Sequence, residues 1–250
     1  MHGSRNGCTY DEALATVMKE TGNLIIKPSV ESSHGHGVRK IGNQDRTKEK
    51  LASIIDSYGK NFVIQKEIIQ HPDLAKFNPS SVNTIRIATY QDPRGKVKIL
   101  YAAQRFGGKG KIYDNADDPK GSGGFCAIEQ DGTINREVHH YRNMKKTYLA
   151  DDITKKVPYY DKIKDAVLFL HTRFPNFALI GWDVTVTPEG HPVIIEYNFR
   201  PGLGSCQLAS GPMFCKEDLD EIMEYVVKGK ATMKTKHVVQ FPSKEKYWTN

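Results

Sequence analysis

Asp183, Glu196 and Asn198 fall within "GWDVTVTPEGHPVIIEYN", where two alternating apolar runs flank a Pro-x-Gly turn signal, a pattern that reads as a β-hairpin. A four-residue loop from Pro188 to His191 would set Thr187 opposite Pro192. Asp183 then lies directly across from Glu196, and Asn198 shares their face two residues on. Like charges facing each other destabilise a sheet unless a cation lies between them. Two carboxylates and an amide oxygen are hard ligands of the kind that holds Mg2+ against nucleotide phosphates. The competing reading is a surface hairpin whose acids face water. A three-residue loop would throw Asp183 and Glu196 onto opposite faces.

Cations and glycines elsewhere suit an anionic ligand. Lys27 follows Ile25 and Ile26 and precedes Pro28, so its stem packs in a strand and its charge is held in place; an edge-strand lysine reaching to solvent would look the same. The following turn, with Ser32, Ser33, His34, Gly35 and Gly37, can aim backbone N–H groups at an anion, or can be a tight β-turn only. Gln65, Lys66, Glu67 and Ile68 close a strand where a purine edge could meet backbone groups, as could any strand end. Arg86 stands in the middle of the apolar run "VNTIRIATY", where a charge requires a partner, so a structural salt bridge competes with a catalytic role. Arg105 precedes a long glycine-rich connection and is placed to follow a phosphate, and Arg200 lies two residues past Asn198, near the expected metal.

The elements that must position these groups alternate between helical and strand periods. Residues 9–21 open on Thr9 with Glu12 three residues on, the capping-box pattern. A strand carries Lys27 and pairs with another after the glycyl turn. Residues 45–59 read as a helix with Leu51, Ile54, Ile55 and Tyr58 on one face. Strands follow at "NFVIQKEIIQ", "VNTIRIATYQ" and "GKVKILYAAQRFG", with residues 71–81 a loop and 107–124 a glycine-rich connection. Asp131-Gly132 marks a hairpin turn. Helices are expected over 158–174 and from Cys215 to Gly229, and a basic tail from Lys230. The domains expected are 1–70, carrying the lysine strand and glycyl loop, 71–229, carrying the metal hairpin, and the tail 230–250.

Composition narrows the classes. A chain of 250 residues supports one large or two small domains. No apolar run reaches the roughly 18 residues of a membrane span, and the polar start has no signal-peptide core, so a cytoplasmic protein is expected. Cys8, Cys126, Cys206 and Cys215 show no CxxC spacing, and the histidines lack ligand spacing, which argues against zinc or a disulfide framework. The net charge of +7 fits an anionic small substrate or an acidic polymer. Without a recognised nucleic-acid module it is read as a solvated face rather than a nucleic-acid surface.

In order and spacing, "LIIKPSVESSHGHGV", "VIQKEII" and "GWDVTVTPEGHPVIIEYNFRPG" resemble the ATP-grasp superfamily. The resemblance implies an α+β fold in which two α+β subdomains grip ATP. It implies that Lys27 contacts the α- and β-phosphates, that Ser32 to Gly37 cover them, that Gln65 to Ile68 read adenine, and that Asp183, Glu196 and Asn198 hold two Mg2+ ions. "FNPSSVNTIRIATY" looks most like the sugar-transfer-associated branch, related to α-L-glutamate ligases, with Arg86 its distinguishing residue. Two positions depart from the pattern: Gln65 replaces a common Glu, and Gly181-Trp182 stand where an arginine often precedes the metal Asp, so that Arg86 or Arg105 would supply that cation. The phosphate lysine comes as early as Lys27, so the usual N-terminal domain is expected to be largely absent, with a partner chain or a missing segment completing the acceptor site. The implied activity is ATP-dependent joining of a small-molecule or glycan carboxylate to an amine such as an amino acid, in polysaccharide modification. Arg86, Arg105 and Arg200 would act on the carboxylate or the phosphates. A phosphoryl transferase of the same fold and a non-catalytic nucleotide- or glycan-binding module are the alternatives.

Overall fold

The computed structural model describes residues 9–29, 37–59, 61–112, 114, 123–140 and 143–227, so Ser32, Ser33, His34, Gly35 and the basic tail lie outside the described residues. The chain enters on α1 (Tyr10–Lys19), where the Thr9 hydroxyl accepts from the Glu12 amide and the Glu12 carboxylate accepts from the Thr9 amide at 2.8 Å. This capping box satisfies two amides that a helix start leaves without partners. β1 (Leu24–Pro28), β2 (Arg39–Ile41), α2 (Lys48–Asp56) and β3 (Phe62–Lys66) follow. The strands form an antiparallel sheet in the order β2-β1-β3. Strand alternation decides its faces: Leu24 and Ile26 close a core with Leu14, Val17, Leu51, Ile54 and Ile55, while Ile25 and Lys27 turn the other way, into a cleft.

A larger sheet is built from β4 (Ile85–Gln91), β5 (Val97–Phe106), β6 (Gly124–Ile128), β7 (Glu137–His140), β8 (Lys145–Tyr148), β9 (Leu179–Val186) and β10 (Pro192–Asn198), with α3 (Pro72–Ala75) before it, α4 (Tyr160–His171) within it, and α5 (Gly204–Ser210) and α6 (Lys216–Val227) after it. Its order is β10-β9-β4-β5-β6-β7-β8, every pair antiparallel. One face, with Ile85, Ile87, Ile180, Trp182 and Val184, packs on Ile163 and Val167 of α4. The alternating residues Arg86 and Asp183 therefore belong to the opposite face. Farther along that face Ala88 and Tyr101 are covered by Cys206 of α5 and by Met213.

A buried polar chain links α4 to β9. The Trp182 indole donates to Thr89 Oγ1 at 2.7 Å, Thr89 Oγ1 meets His171 Nδ1 at 2.5 Å, and His171 Nε2 lies 2.8 Å from the Phe177 carbonyl. A carbonyl only accepts, so Nε2 carries the proton and the Thr89 hydroxyl donates to Nδ1. Burial pushes the imidazole below the ordinary histidine value, keeping it neutral in this chain.

Residues 71–81, read from the sequence as a loop, hold the one-turn helix α3, with Pro72 in its first turn and the His71 ring accepting from the Asp73 amide at 3.2 Å. The β7–β8 hairpin and α5 left no periodic signal: β8 is exposed at all four positions, and α5 is seven residues long. The Asp131-Gly132 turn is present, with Gly132 at φ +89° and Ile128 bridged to Ile134.

Candidate active site

A cleft of about 570 Å³ lies between the two sheets. From the smaller sheet come Lys27 of β1, Lys40 of β2 and the strand end Gln65, Lys66, Glu67 and Ile68; from the larger come Arg86, Arg105, Asp183, Glu196, Asn198 and Arg200. Every described residue singled out in the sequence therefore reaches one cavity, apart from Gly37. Gly37 sits at φ +74°, and a Cβ there would meet Pro28 Cγ at 2.8 Å, so its glycine is explained by the close approach of the turn to β1. The Lys27 ammonium has no hydrogen-bond or ion-pair partner among the described residues, its backbone being paired in the β1–β3 ladder.

The hairpin pairs Asp183 with Glu196 and Gly181 with Asn198, but by another route than the four-residue loop expected. Pro192 pairs with Val186 rather than Thr187, leaving a five-residue loop, 187–191, closed by the Thr187 amide donating to the His191 carbonyl at 3.0 Å. That register alone would place Asp183 opposite Ile195. A β-bulge between Ile194 and Glu196 adds one residue and returns Glu196 to the face of Asp183. In the loop Gly190 takes φ +82° beneath the Tyr159 ring, where a Cβ would lie 2.7 Å from ring carbons.

Arg86 lies beside Asp183 across the β4–β9 ladder. Its fork is bidentate, with Nε bonded to Oδ1 and Nη2 at 2.8 Å from Oδ2, and Arg105 Nη1 adds a contact to Oδ2 at 3.2 Å. The Asp183 side chain is 6% exposed and that of Arg86 13%. Burial opposes ionisation of Asp183, but the Arg86 fork and the Arg105 charge outweigh it and hold the carboxyl below the usual range. Glu196 shows the reverse: burial first, then the neighbouring Asp183 carboxyl, push it above the ordinary glutamate value. Asn198 Nδ2 donates to Glu196 Oε1 at 3.3 Å.

Two carboxyls in contact and an adjacent amide form an all-oxygen set whose mutual repulsion a hard divalent cation would relieve, so these residues fit such an ion. Among the described residues no group of three or more His, Cys, Asp or Glu side chains is assembled for a metal, and the amide of Asn198 is the neighbour of the two carboxyls. Arg86 and Arg105 both contact Asp183.

Several cleft residues escaped the sequence reading. Lys40 Nζ lies 2.7 Å from Glu67, whose other oxygen accepts from Asn23 at 2.7 Å. Because Ile41 points into the core, alternation alone places Lys40 on the cleft face opposite Ile25. Below Arg86, the run 78–84 is pinned by a buried amide knot. Asn78 Nδ2 donates to the carbonyls of Gly108 and Lys111 at 3.2 Å each, and Asn83 Nδ2 donates to those of Leu74 and Asn78 at 2.9 Å. These bonds hold the start of the glycine-rich connection against β4, and the Thr84 hydroxyl donates to Asp114 in that connection. Asp114 has no periodic or turn signature that would have singled it out.

Gly181 sets the far wall. A Cβ there would lie 2.6 Å from Cβ of Pro201, so the absence of a side chain lets "NFRPG" fold back over the site. Gly181→Ala is expected to cost about 1–3 kcal/mol through overpacking and to weaken nucleotide binding by displacing Asn198 and Arg200. A denaturant titration and a nucleotide-dependent melt check this; wild-type values for both would contradict it.

Two sheets gripping a cleft lined by a strand lysine, paired acids and arginines define a nucleotide-binding α+β protein of the ATP-grasp class. The chain belongs to the sugar-transfer associated ATP-grasp family, whose model matches residues 8–223. No curated protein matches the chain. Among solved structures it is similar to the ATP-grasp ligase PsnB complexed with a phosphomimetic variant of minimal precursor, Mg and ADP, at 12% identity and a TM-score of 0.49 over 86% of this chain and 50% of that one. It is also similar to D-alanyl-alanine synthetase A from Vibrio cholerae, at 15% identity and a TM-score of 0.43 over 88% and 56%. The chain thus spans about half the length of these proteins. No helix among the described residues is long and apolar enough to cross a membrane.

Proposed function

We propose that this chain is an ATP-dependent carboxylate–amine ligase working through an acyl phosphate, in the modification of a polysaccharide or cell-surface glycan. The family supports the class of chemistry and the sugar context. The observation that carries the reading is the arrangement of charge in one cleft. A lysine and a strand end on one sheet face paired oxygen ligands and three arginines on the other.

In this reading Gln65, Lys66, Glu67 and Ile68 receive the purine, and Lys27 the α- and β-phosphates, which Ser32, Ser33, His34, Gly35 and Gly37 would cover. Asp183, Glu196 and Asn198 would hold Mg2+, which supplies charge neutralisation at the phosphoryl oxygens. Arg86 and Arg200 hold the acid substrate so that its carboxylate oxygen can attack the γ-phosphorus, and Arg105 follows the transferred group. The chain's contribution is positioning and charge complementarity, since carboxylate oxygen is already nucleophilic and only its product, the acyl phosphate, makes a good leaving group available to the amine.

Binding of ATP together with Mg2+ is expected to raise the melting temperature, because a ligand at a hundred times its Kd adds about 2.7 kcal/mol. Melts with both, with either and with neither test this. Absence of a shift in every condition removes the nucleotide site. Amide plus ADP as products, against a phosphorylated acceptor, separates a ligase from a phosphoryl transferase.

A further inference from the structure

We propose that Asp114 binds the ammonium group of the amine substrate and takes its proton as the amine attacks the acyl phosphate, an assignment that rests on the ligase reading above. Four carboxylates line the described cleft: Glu67, Asp114, Asp183 and Glu196. Three are already engaged. Asp183 is bound by Arg86 and Arg105, Glu196 accepts from Asn198 in contact with Asp183, and Glu67 is bound by Lys40 and Asn23. Asp114 has one partner among the described residues, the neutral hydroxyl of Thr84. A hydroxyl orients a carboxylate without cancelling its charge, so none of the described residues neutralises this anion, which faces the cleft.

Its position fits the second substrate. The Arg105 amide donates to the Thr84 carbonyl at 2.7 Å, which sets Thr84 across from Arg105, and Thr84 is two residues before Arg86 on the same face. Side chains opposed in this way have Cβ atoms about 5 Å apart, so an ammonium on Asp114 lies beside the arginines that hold the activated acid. Arginines recognise the anionic substrate but repel an ammonium, and the amine therefore requires a separate anionic contact.

The proton balance defines the role. The ammonium gives one proton to the Asp114 carboxylate, and the freed lone pair forms the C–N bond at the acyl carbon. The C–O bond to phosphate then breaks, its electron pair leaving with the phosphate oxygen. The nitrogen loses its second proton to the departing phosphate, and Asp114 returns its own to solvent. A positioned general base of this kind is worth about 10²–10⁴ in rate.

Asp114→Asn preserves the acceptor oxygen for Thr84 and deletes charge and basicity. Asn78 continues to hold Gly108 and Lys111. The experiment compares two nucleophiles with Mg·ATP and a panel of amino acids and uronic acids as the acid substrate. Hydroxylamine is neutral near pH 7 and traps an acyl phosphate as hydroxamate without a base, whereas an amino acid amine arrives as ammonium. The variant is expected to form hydroxamate near the wild-type rate and amide at least about 100-fold more slowly, and Asp114→Glu to recover part of the amide rate. Equal loss of both products, or an unchanged amide rate, overturns the proposal. If Asp114→Asn does not fold, a Glu variant that loses both products alike overturns it instead. Wild-type protein that forms no hydroxamate with any acid fails the ligase reading itself, and the assignment of Asp114 falls with it.

Discussion

Arg86→Met is expected to cost about 3 kcal/mol of stability, the lower end of what breaking a buried ion pair by removing one partner costs. The loss arises at Asp183, which is nearly inaccessible to water and would keep only Arg105, at 3.2 Å, as a charged partner. Arg105 limits the loss because it already touches both carboxylate oxygens. Arg86→Lys retains a charge but not the fork that grips both oxygens, so it should cost less stability while turnover still falls if the guanidinium also holds substrate. A double-mutant cycle separates these roles. In an Asp183→Asn background the stability cost of Arg86→Met should shrink, since no buried anion is left uncompensated. Strict additivity of the two substitutions would deny the coupling. Normal ADP release by folded Arg86→Lys protein would confine Arg86 to a structural part.

The ion pair shows what a strand sequence reveals and what it leaves open. A lone arginine inside "TIRIA" announces that a partner must exist, but the sequence does not say whether that partner is structural or catalytic. The structure makes it Asp183, the residue read independently as a metal ligand, so the structural partner is established while the catalytic reading of Arg86 rests on the proposed function. The hairpin is more instructive still. Asp183 and Glu196 face each other as expected, yet the loop is one residue longer and a bulge compensates. The run Val193-Ile194-Ile195 is uniformly apolar and carries no alternation that would mark which residue is extra, so the pattern cannot place a bulge. The same limit hid β8, whose exposed "KKTY" has no buried face to betray a period. Helices were more legible because caps are local: Thr9 and Glu12 announce α1 through bonds spanning three residues. Lys40 was within reach of the alternation that places Ile41 in the core, whereas Asp114 depends on a contact with Thr84 thirty residues away, which no local pattern encodes.

Glu196→Gln should leave the fold intact while lowering turnover about 1,000-fold, the equivalent of about 4 kcal/mol of lost charge stabilisation at a metal-assisted phosphoryl transfer. The substitution keeps the volume and one oxygen but removes a metal charge. In the metal-free protein it also removes repulsion, because the new amide can donate to Asp183. Glu196 is pushed up by burial and by Asp183, so the folded state holds this proton more tightly than the unfolded chain does. The stability gained from that proton is complete below the ordinary glutamate value of 4.5 and is lost as pH rises through the folded value. Asp183, pulled down by its arginines, contributes in the opposite sense and loses its stabilisation only below about its ordinary 3.8. As pH rises above 4.5, metal-free melts of the wild type should therefore fall relative to those of Glu196→Gln, the slopes from His171 and other shared groups cancelling in the difference, and added Mg2+ with ATP should restore the stability lost at higher pH to the wild type far more than to the variant. Wild-type turnover in the variant would remove Glu196 from the metal set. A difference between the two that does not change with pH would show that the Asp183–Glu196 contact does not carry the repulsion ascribed to it.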